Sequence, residues 1–160
     1  MANVKYASQN TFLYIGDGGG SEMFFKVLGL EDITLPQTKA TLLDVTTQDE
    51  TDHYMDYLST LLDNGEATFP VVLDPNEVTQ NEASTIVGTR AGGLKYLMDQ
   101  RVRRNMRIEF GYTSPVTRMR FVGIVTEFSG SAPVKGALRA QVRIKAVGKN
   151  TLEVGTGAGA

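Results

Sequence analysis

The stretch Ala137-Leu138-Arg139-Ala140-Gln141-Val142-Arg143-Ile144-Lys145-Ala146-Val147 decides how this chain is read. Leu138, Ala140, Val142, Ile144 and Ala146 fall on one side of an extended backbone, and Arg139, Gln141, Arg143 and Lys145 on the other. Side chains alternate across a strand with a period of two, so this segment predicts a strand packed on one face and wet on the other. Upstream segments follow the same pattern. Met106, Ile108, Phe110 and Tyr112 share a face opposite Arg107 and Glu109. Thr117 to Phe128 is a longer strand whose phase breaks near Phe121-Val122-Gly123, where a glycine permits a bulge.

The first half is less regular. Phe12 to Ile15 runs into Asp17-Gly18-Gly19-Gly20 and then Met23 to Leu28, which suits a hairpin. Ala40 to Thr47 alternates moderately and is rich in β-branched residues. Glu66 to Leu73 puts Ala67, Phe69, Val71 and Leu73 on one face, and Pro70, lacking an N–H, suggests an edge strand or a bulge. Asp52 to Asp63 admits two readings. Tyr54, Tyr57, Leu58, Leu61 and Leu62 fit a helix stopped by Asn64-Gly65, or a strand entering a turn at Asp63-Asn64-Gly65. One helix is expected over Leu94, Leu97, Met98 and Val102, capped by Thr89 and ending within Asp99 to Arg104, with Gly92 and Gly93 weakening its start. Asp74 to Gly88 reads as a long polar connection.

The sum is a mainly β chain: a small β-sandwich or barrel with one flanking short α-helix and long loops. Its 160 residues suit a single domain over 1–150, followed by a flexible tail over 151–160 whose last residues, GTGAGA, have nothing to pack. No internal repeat and no linker interrupts it. A hydrophobic content of 41% is that of a globular protein with a real core. The opening residues MANVKYASQNTF lack a signal peptide's apolar centre, which points to synthesis in the cytosol. No apolar run approaches the length of about 20 residues that spans a bilayer.

Charge is divided along the chain. Residues 1–89 hold 14 acids and 3 bases, and residues 90–160 hold 13 bases and 4 acids. Either the halves cancel inside one fold, or the acidic surface of one copy meets the basic surface of another.

The chemistry for catalysis is missing. There is no cysteine, and His53 is the single histidine, set among Asp49, Glu50, Asp52 and Asp56. Without a second imidazole or a thiol that cluster is a solvated loop rather than a metal site. A serine triad would need the same histidine, and no G-x-S-x-G elbow presents a nucleophile. Carboxylate pairs are plentiful, but none is set apart in apolar surroundings. The run GTRAGGLK over 88–95 lacks the phosphate-loop spacing. The bases from Arg90 to Arg120 could contact phosphate, yet Phe110 and Tyr112 beside them fall on the apolar face of their strand. The reading is a protein that is not an enzyme, with no cofactor and no metal.

Leu42 to Pro75 resembles the signature region of the tail tube (major tail) proteins of long non-contractile phage tails and of the related gene transfer agents. The residues that carry the resemblance are Asp44-Val45-Thr46-Thr47, an acidic loop, then Leu61-Leu62-Asp63-Asn64-Gly65-Glu66 and Phe69. Ser59-Thr60 stands where that family usually has a glycine. Phe121-Val122-Gly123-Ile124-Val125-Thr126 and the basic strand after it continue the pattern, so that roughly residues 10–150 are covered.

The resemblance implies a structural protein that assembles into hexameric rings, stacked as a hollow tube in the virion and built in the bacterial host's cytoplasm. Its partners would be itself, a tape measure protein, tail terminator and baseplate proteins, and DNA passing down the lumen without sequence-specific binding. The charge division then reads as an interface. Asp49, Glu50, Asp52 and Asp56 of one ring would face Arg101, Arg103 and Arg104 of the next. The competing expectation is a small β-barrel that binds an apolar ligand and does not polymerise. Arg139, Arg143 and Lys145 would sit awkwardly in a lumen unless their face turns outward or another strand brings counter-charges.

Overall fold

A computed structural model describes residues 11–49, 51, 54–86, 91–110 and 117–154. Its elements, in chain order, are β1 (Phe12–Gly16), β2 (Phe24–Lys26), β3 (Lys39–Asp44), β4 (Tyr57–Asp63), β5 (Glu66–Val72), α1 (Leu94–Gln100), β6 (Arg104–Phe110), β7 (Thr117–Ser131) and β8 (Arg139–Val154). Six strands form one antiparallel sheet in the order β2-β1-β6-β7-β8-β5, while β3 and β4 form a separate two-stranded hairpin. The chain is mainly β with one short helix, as its alternation predicts. The barrel half of that expectation is corrected, because among the described residues neither sheet closes on itself.

The alternation of β8 is realised from Ala140 to Ala146, whereas Leu138, expected on the same face, precedes the strand and is exposed. Ala140, Val142, Ile144 and Ala146 are buried and face the core with Ala67, Phe69 and Val71 of β5 and Met106 and Ile108 of β6. Each fully buried side chain of Phe or Leu size stabilises the fold by roughly 1.5–3 kcal/mol, so this one face accounts for most of the cohesion. The helix closes the core with Leu94 and Leu97 and packs against β7. The phase break in β7 is a pair of register shifts against β8, between Arg120 and Val122 and between Val125 and Glu127. Gly123 lies between them because a Cβ there would come 2.5 Å from Ile144 Cγ2 and 2.8 Å from Met106 Sδ.

Pro70 sits on β5, the last strand of the sheet, as its missing N–H requires. The segment before the hairpin runs along β5's outer side. Thr34 and Thr68 exchange backbone hydrogen bonds, and the Glu31 N–H donates to Pro70 O at 3.0 Å. Gln80, almost wholly buried, ties the connection after β5 to both neighbours. Its amide donates to Leu28 O at 2.6 Å and Val72 O at 3.1 Å, and its oxygen accepts from the Asp74 N–H.

Three boundaries differ from the sequence reading. The helix starts at Leu94 with Gly93 in the N-cap position, while Thr89, the expected cap, lies outside the described residues. Gly93 is required there because a Cβ would run into the carbonyls of Asn81 and Val78. The ambiguous stretch after Asp52 is the strand β4, since β3 supplies an antiparallel partner. Finally, β8 continues past residue 150, where Thr151–Val154 pair with Thr117–Arg120 of β7. Tyr112 and residues 155–160 lie outside the described set.

Candidate self-assembly surface

The β3–β4 hairpin is the part of the chain whose sequence and environment disagree. Its register pairs Lys39 with Asp63, Ala40 with Leu62, Leu42 with Ser59, Leu43 with Leu58 and Asp44 with Tyr57. Leu42 and Leu62 therefore share one face, and Leu43 and Leu58 the other. None is covered. Leu42 is 60% exposed, Leu58 56% and Leu61 80%, against 1% for Phe69 only six residues beyond Asp63. A hairpin normally keeps one face wet and polar; this one carries leucine on both.

Both ends of the hairpin are tied by residues that carry the family resemblance. At the distal end, Asp44 Oδ1 accepts the Thr46 N–H at 2.9 Å and the Thr46 hydroxyl at 2.6 Å. The Thr46 hydroxyl in turn accepts the Asp56 N–H at 2.9 Å, and Val45 N–H donates to Asp56 O. The Thr46 hydroxyl, followed by its backbone N–H, holds the Asp44 carboxyl below the usual range. At the root, Asp63 Oδ1 accepts the Gly65 N–H at 2.9 Å and the Lys145 ammonium at 2.6 Å. The Lys145 hydrogen bond is the main cause that lowers the Asp63 carboxyl's pKa. Asn64 is buried and accepts from the Thr38 hydroxyl. Gly65 has φ of 69°, and a Cβ would stand 2.7 Å from Gln37 O. The motif residues Asp44, Thr46, Asp63 and Gly65 thus act as fasteners, while Leu61 stays exposed and Phe69 and Gly123 belong to the core.

The proposed stacking residues are placed as follows. Asp49 and Asp56 are exposed at the distal end of the hairpin, and Glu50, Asp52 and His53 lie outside the described residues. Arg101 is exposed in the left-handed conformation that ends α1, with φ of 55°. Arg103 is exposed. Arg104 is half-buried, donating to Arg103 O at 3.3 Å, and its Nε has no hydrogen-bond partner. Among the described residues, no hydrogen bond or ion pair joins the acids at the hairpin's distal end to these arginines.

The wet face of the main sheet carries its own counter-charges. Arg143 meets Glu127 at 2.9 Å, Arg120 meets Glu153 at 2.6 Å and Arg139 meets Glu31 at 3.1 Å. Glu109 lies 3.2 Å from Arg107 and 3.9 Å from Arg118. Burial pushes the Arg107 pKa down and Glu109 opposes that shift, while the guanidinium stacks over Phe24 at 4.2 Å. All four acids of the basic half are engaged inside that half, Asp99 by Lys95. Among the described residues, Glu31 and Asp63 are the acids of the first half that form ion pairs with bases of the second. Within that set, pairing between the halves leaves most of the first half's charge uncancelled.

Sequence reasoning missed the exposed leucines. The signal was present in the doublets Leu42-Leu43 and Leu61-Leu62, since adjacent residues of a strand point to opposite faces and leave no polar side.

No family model matches the sequence, and no curated protein does either. Solved structures do match. The tail of an empty gene transfer agent particle with C6 symmetry superposes with a TM-score of 0.66 at 10% identity, covering 94% of this chain and 100% of that one. Its fold is a tail-tube fold. The SPP1 tail tube gives a TM-score of 0.61 at 8% identity, over 94% of this chain and 81% of that chain. The sheath/tube terminator structure of an extracellular contractile injection system gives 0.66 at 6% identity, over 96% of this chain and 100% of its match. The tail-tube fold extends across phage, gene transfer agent and injection-system tails, so the architecture alone does not separate them.

Proposed function

We propose that this chain is the tube subunit of a virion tail, a structural protein that self-assembles into stacked rings and does no catalysis. The observation that carries the reading is the hairpin: leucine on both faces of a tied, two-stranded arm that touches no core of its own. An isolated two-stranded hairpin is marginal in water, so this one is made to be covered by another surface. The C6 symmetry of the gene transfer agent tail supports six copies per ring. Asp49 and Asp56, with Glu50 and Asp52 beside them in sequence, face Arg101, Arg103 and Arg104 of the next ring. Each exposed pair contributes only about 0–1 kcal/mol, but ring symmetry repeats it. The open ends of such a tube meet terminator and baseplate proteins, and its lumen holds a tape measure protein and then passes DNA. Assembly takes place in the host cytoplasm.

A ligand-binding barrel has no observation in its favour. The enclosed space bounded by Ile15, Phe25, Val27 and Ile86 offers no volume that a water could occupy. The grooves at the hairpin root, beside Phe24 and Asn105, and along Thr34 to Lys39 are open to solvent.

Negative-stain electron microscopy across a concentration series, with sedimentation velocity alongside, tests the reading. Wild-type chain forms rings or hollow tubes. The Leu42→Ser/Leu58→Ser variant melts at the wild-type temperature and sediments as a monomer. The Arg103→Glu/Arg104→Glu variant stays folded and makes no tubes; normal tubes from it would remove the arginines from the stacking contact. A wild-type chain that is monodisperse at every concentration, with and without a preformed tail end as initiator, would sink the tube assignment itself.

A further inference from the structure

The root of the hairpin carries a chemically reactive pair. Asn64-Gly65 is the one Asn-Gly step in the sequence, and it forms the corner between β4 and β5. Glycine is imposed there by the backbone, since φ is 69° and a Cβ would stand 2.7 Å from Gln37 O. Asparagine is not imposed in the same way. What its side chain does is accept the Thr38 hydroxyl at 2.9 Å, which an aspartate could also do.

An asparagine before glycine is open to self-modification, because no side chain shields the next backbone nitrogen. In that reaction the Gly65 N–H gives its proton to water and the nitrogen attacks Asn64 Cγ. The new N–Cγ bond closes a cyclic imide as the Cγ–Nδ2 bond breaks, and the amide nitrogen takes up a proton and leaves as ammonia. Water then adds to either imide carbonyl and opens the ring. The product is aspartate or isoaspartate, the latter with its main chain rerouted through the former side chain. No oxidant, metal or enzyme is required.

The structure restrains every group that this reaction has to move. The Gly65 N–H, whose nitrogen is the nucleophile, donates to Asp63 Oδ1 at 2.9 Å. Asp63 is in turn fixed by the Lys145 ammonium at 2.6 Å. The Gly65 carbonyl accepts the Ala146 N–H at 3.1 Å, which pins the peptide to β8. The Asn64 oxygen is held by Thr38, and the residue is 9% exposed. Attack needs the side chain and the peptide after it to swing together, so these bonds open first. Water for the second step is close by, because open grooves flank the root, one lined by Asn64 and the other by Gly65. Asp17-Gly18 is a related pair, and its Gly18 N–H is likewise held, by Glu22 Oε1 at 3.2 Å. A carboxylate resists attack by nitrogen far more than an amide does, which leaves Asn64 as the reactive member.

We propose that Asn64 is a deamidation site that the folded root of the hairpin keeps shut, so that opening of the root leaves a permanent mark in the chain. The mark favours further opening. Either product puts a second carboxylate beside Asp63 in a buried position, and isoaspartate also lengthens the corner by a methylene. A marked chain holds its hairpin less firmly, and the mark separates chains that stayed folded from chains that did not.

Peptide mapping by mass spectrometry tests this on the full chain at one mildly alkaline pH, dilute enough to stay unassembled, with and without urea. In urea, Asn64 converts ahead of Asn76, Asn81, Asn105 and Asn150, none of which precedes glycine. The folded chain converts at least about tenfold more slowly, as a step gated by local opening must. Thr38→Val removes one of the restraining bonds and raises the folded rate about fivefold. Thr38 is distant in sequence, so the rate in urea stays unchanged. Asp63→Ala raises the ratio of folded to unfolded rate further, and circular dichroism with a thermal melt confirms that both variants are folded. Asn64→Asp imitates the unrearranged product and lowers the exchange protection of the Gly65 amide. Equal rates with and without urea would show that the root gives no protection. A faster folded rate would make Asp63 and Thr38 promoters of the reaction instead of its restraint. Either result, or no conversion at Asn64 in urea, overturns the assignment, and an Asn64→Asp chain with wild-type protection at Gly65 overturns the loosening.

Discussion

The six-stranded sheet and the β3–β4 hairpin are made of the same kind of residue put to opposite use. Leucine, valine and phenylalanine on the sheet's inner face are sealed by α1 and the loops, and those on the hairpin meet only solvent. The sheet's ion pairs are local and nearly complete, whereas most acids of the first half have no cationic partner among the described residues. What the contrast teaches is that the fold is finished without the hairpin. The main sheet carries stability, and on the proposed reading the hairpin carries a capacity to associate. A substitution in one should leave the other's property alone.

The largest separation is expected from the core. Phe69→Ala removes a wholly buried ring and should cost about 3–5 kcal/mol, read as a lower midpoint in chemical denaturation, and the chain that remains folded still associates. Leu58→Ser should change the same midpoint by no more than about 0.5 kcal/mol, while association is lost. Equal effects on stability would break the comparison. Next comes Gly123→Ala, whose methyl must displace Ile144 and Met106 and should cost about 1–3 kcal/mol.

Thr46→Val sharpens the comparison from the hairpin side. It deletes the hydroxyl that joins Asp44 to the Asp56 N–H, a change of about 1 kcal/mol felt locally. Amide hydrogen exchange should quicken at Val45 and Asp56 and stay unchanged in β8. The smallest effect is that of pH. Asp44 and Asp63 have folded pKa values below the ordinary aspartate value, so what they contribute is fully present above that value. It is lost as pH falls through the depressed folded values. The protection factors of the Gly65 and Thr46 amides should therefore fall in strong acid and stay flat from pH 5 to 8. A loss of protection beginning near neutrality would show that other groups hold the hairpin.

Much of the sheet could be read directly. Wherever a strand has one buried face, as β5, β6 and β8 do, its residues alternate and the element is visible. Gly123 was expected to mark a bulge, but it pairs in register with Arg104 and Ala146 and marks instead a close approach of Ile144 and Met106, the register of β7 shifting at Thr126. The hairpin was harder, because Leu58, Leu61 and Leu62 satisfy a helical spacing as well as a strand, and only pairing with β3 decides. The helix cap was misplaced onto Thr89 because side-chain preference suggested a hydroxyl, whereas steric contact with the Asn81 carbonyl demands glycine at 93. The motif residues Asp44, Thr46, Asp63 and Gly65 stood out as a pattern, but a sequence gives no sign that they fasten two ends of one arm.

The carboxylates on the hairpin have one more consequence. Exposed leucines on a strand invite any two copies to meet arm against arm, and that encounter leads to amorphous aggregate. Here the leucines are flanked by Asp44, Asp49, Asp56 and Asp63, so two arms laid together would crowd like charges and separate again. On the proposed reading these acids serve as gatekeepers, keeping two arms apart until one meets a surface of opposite sign.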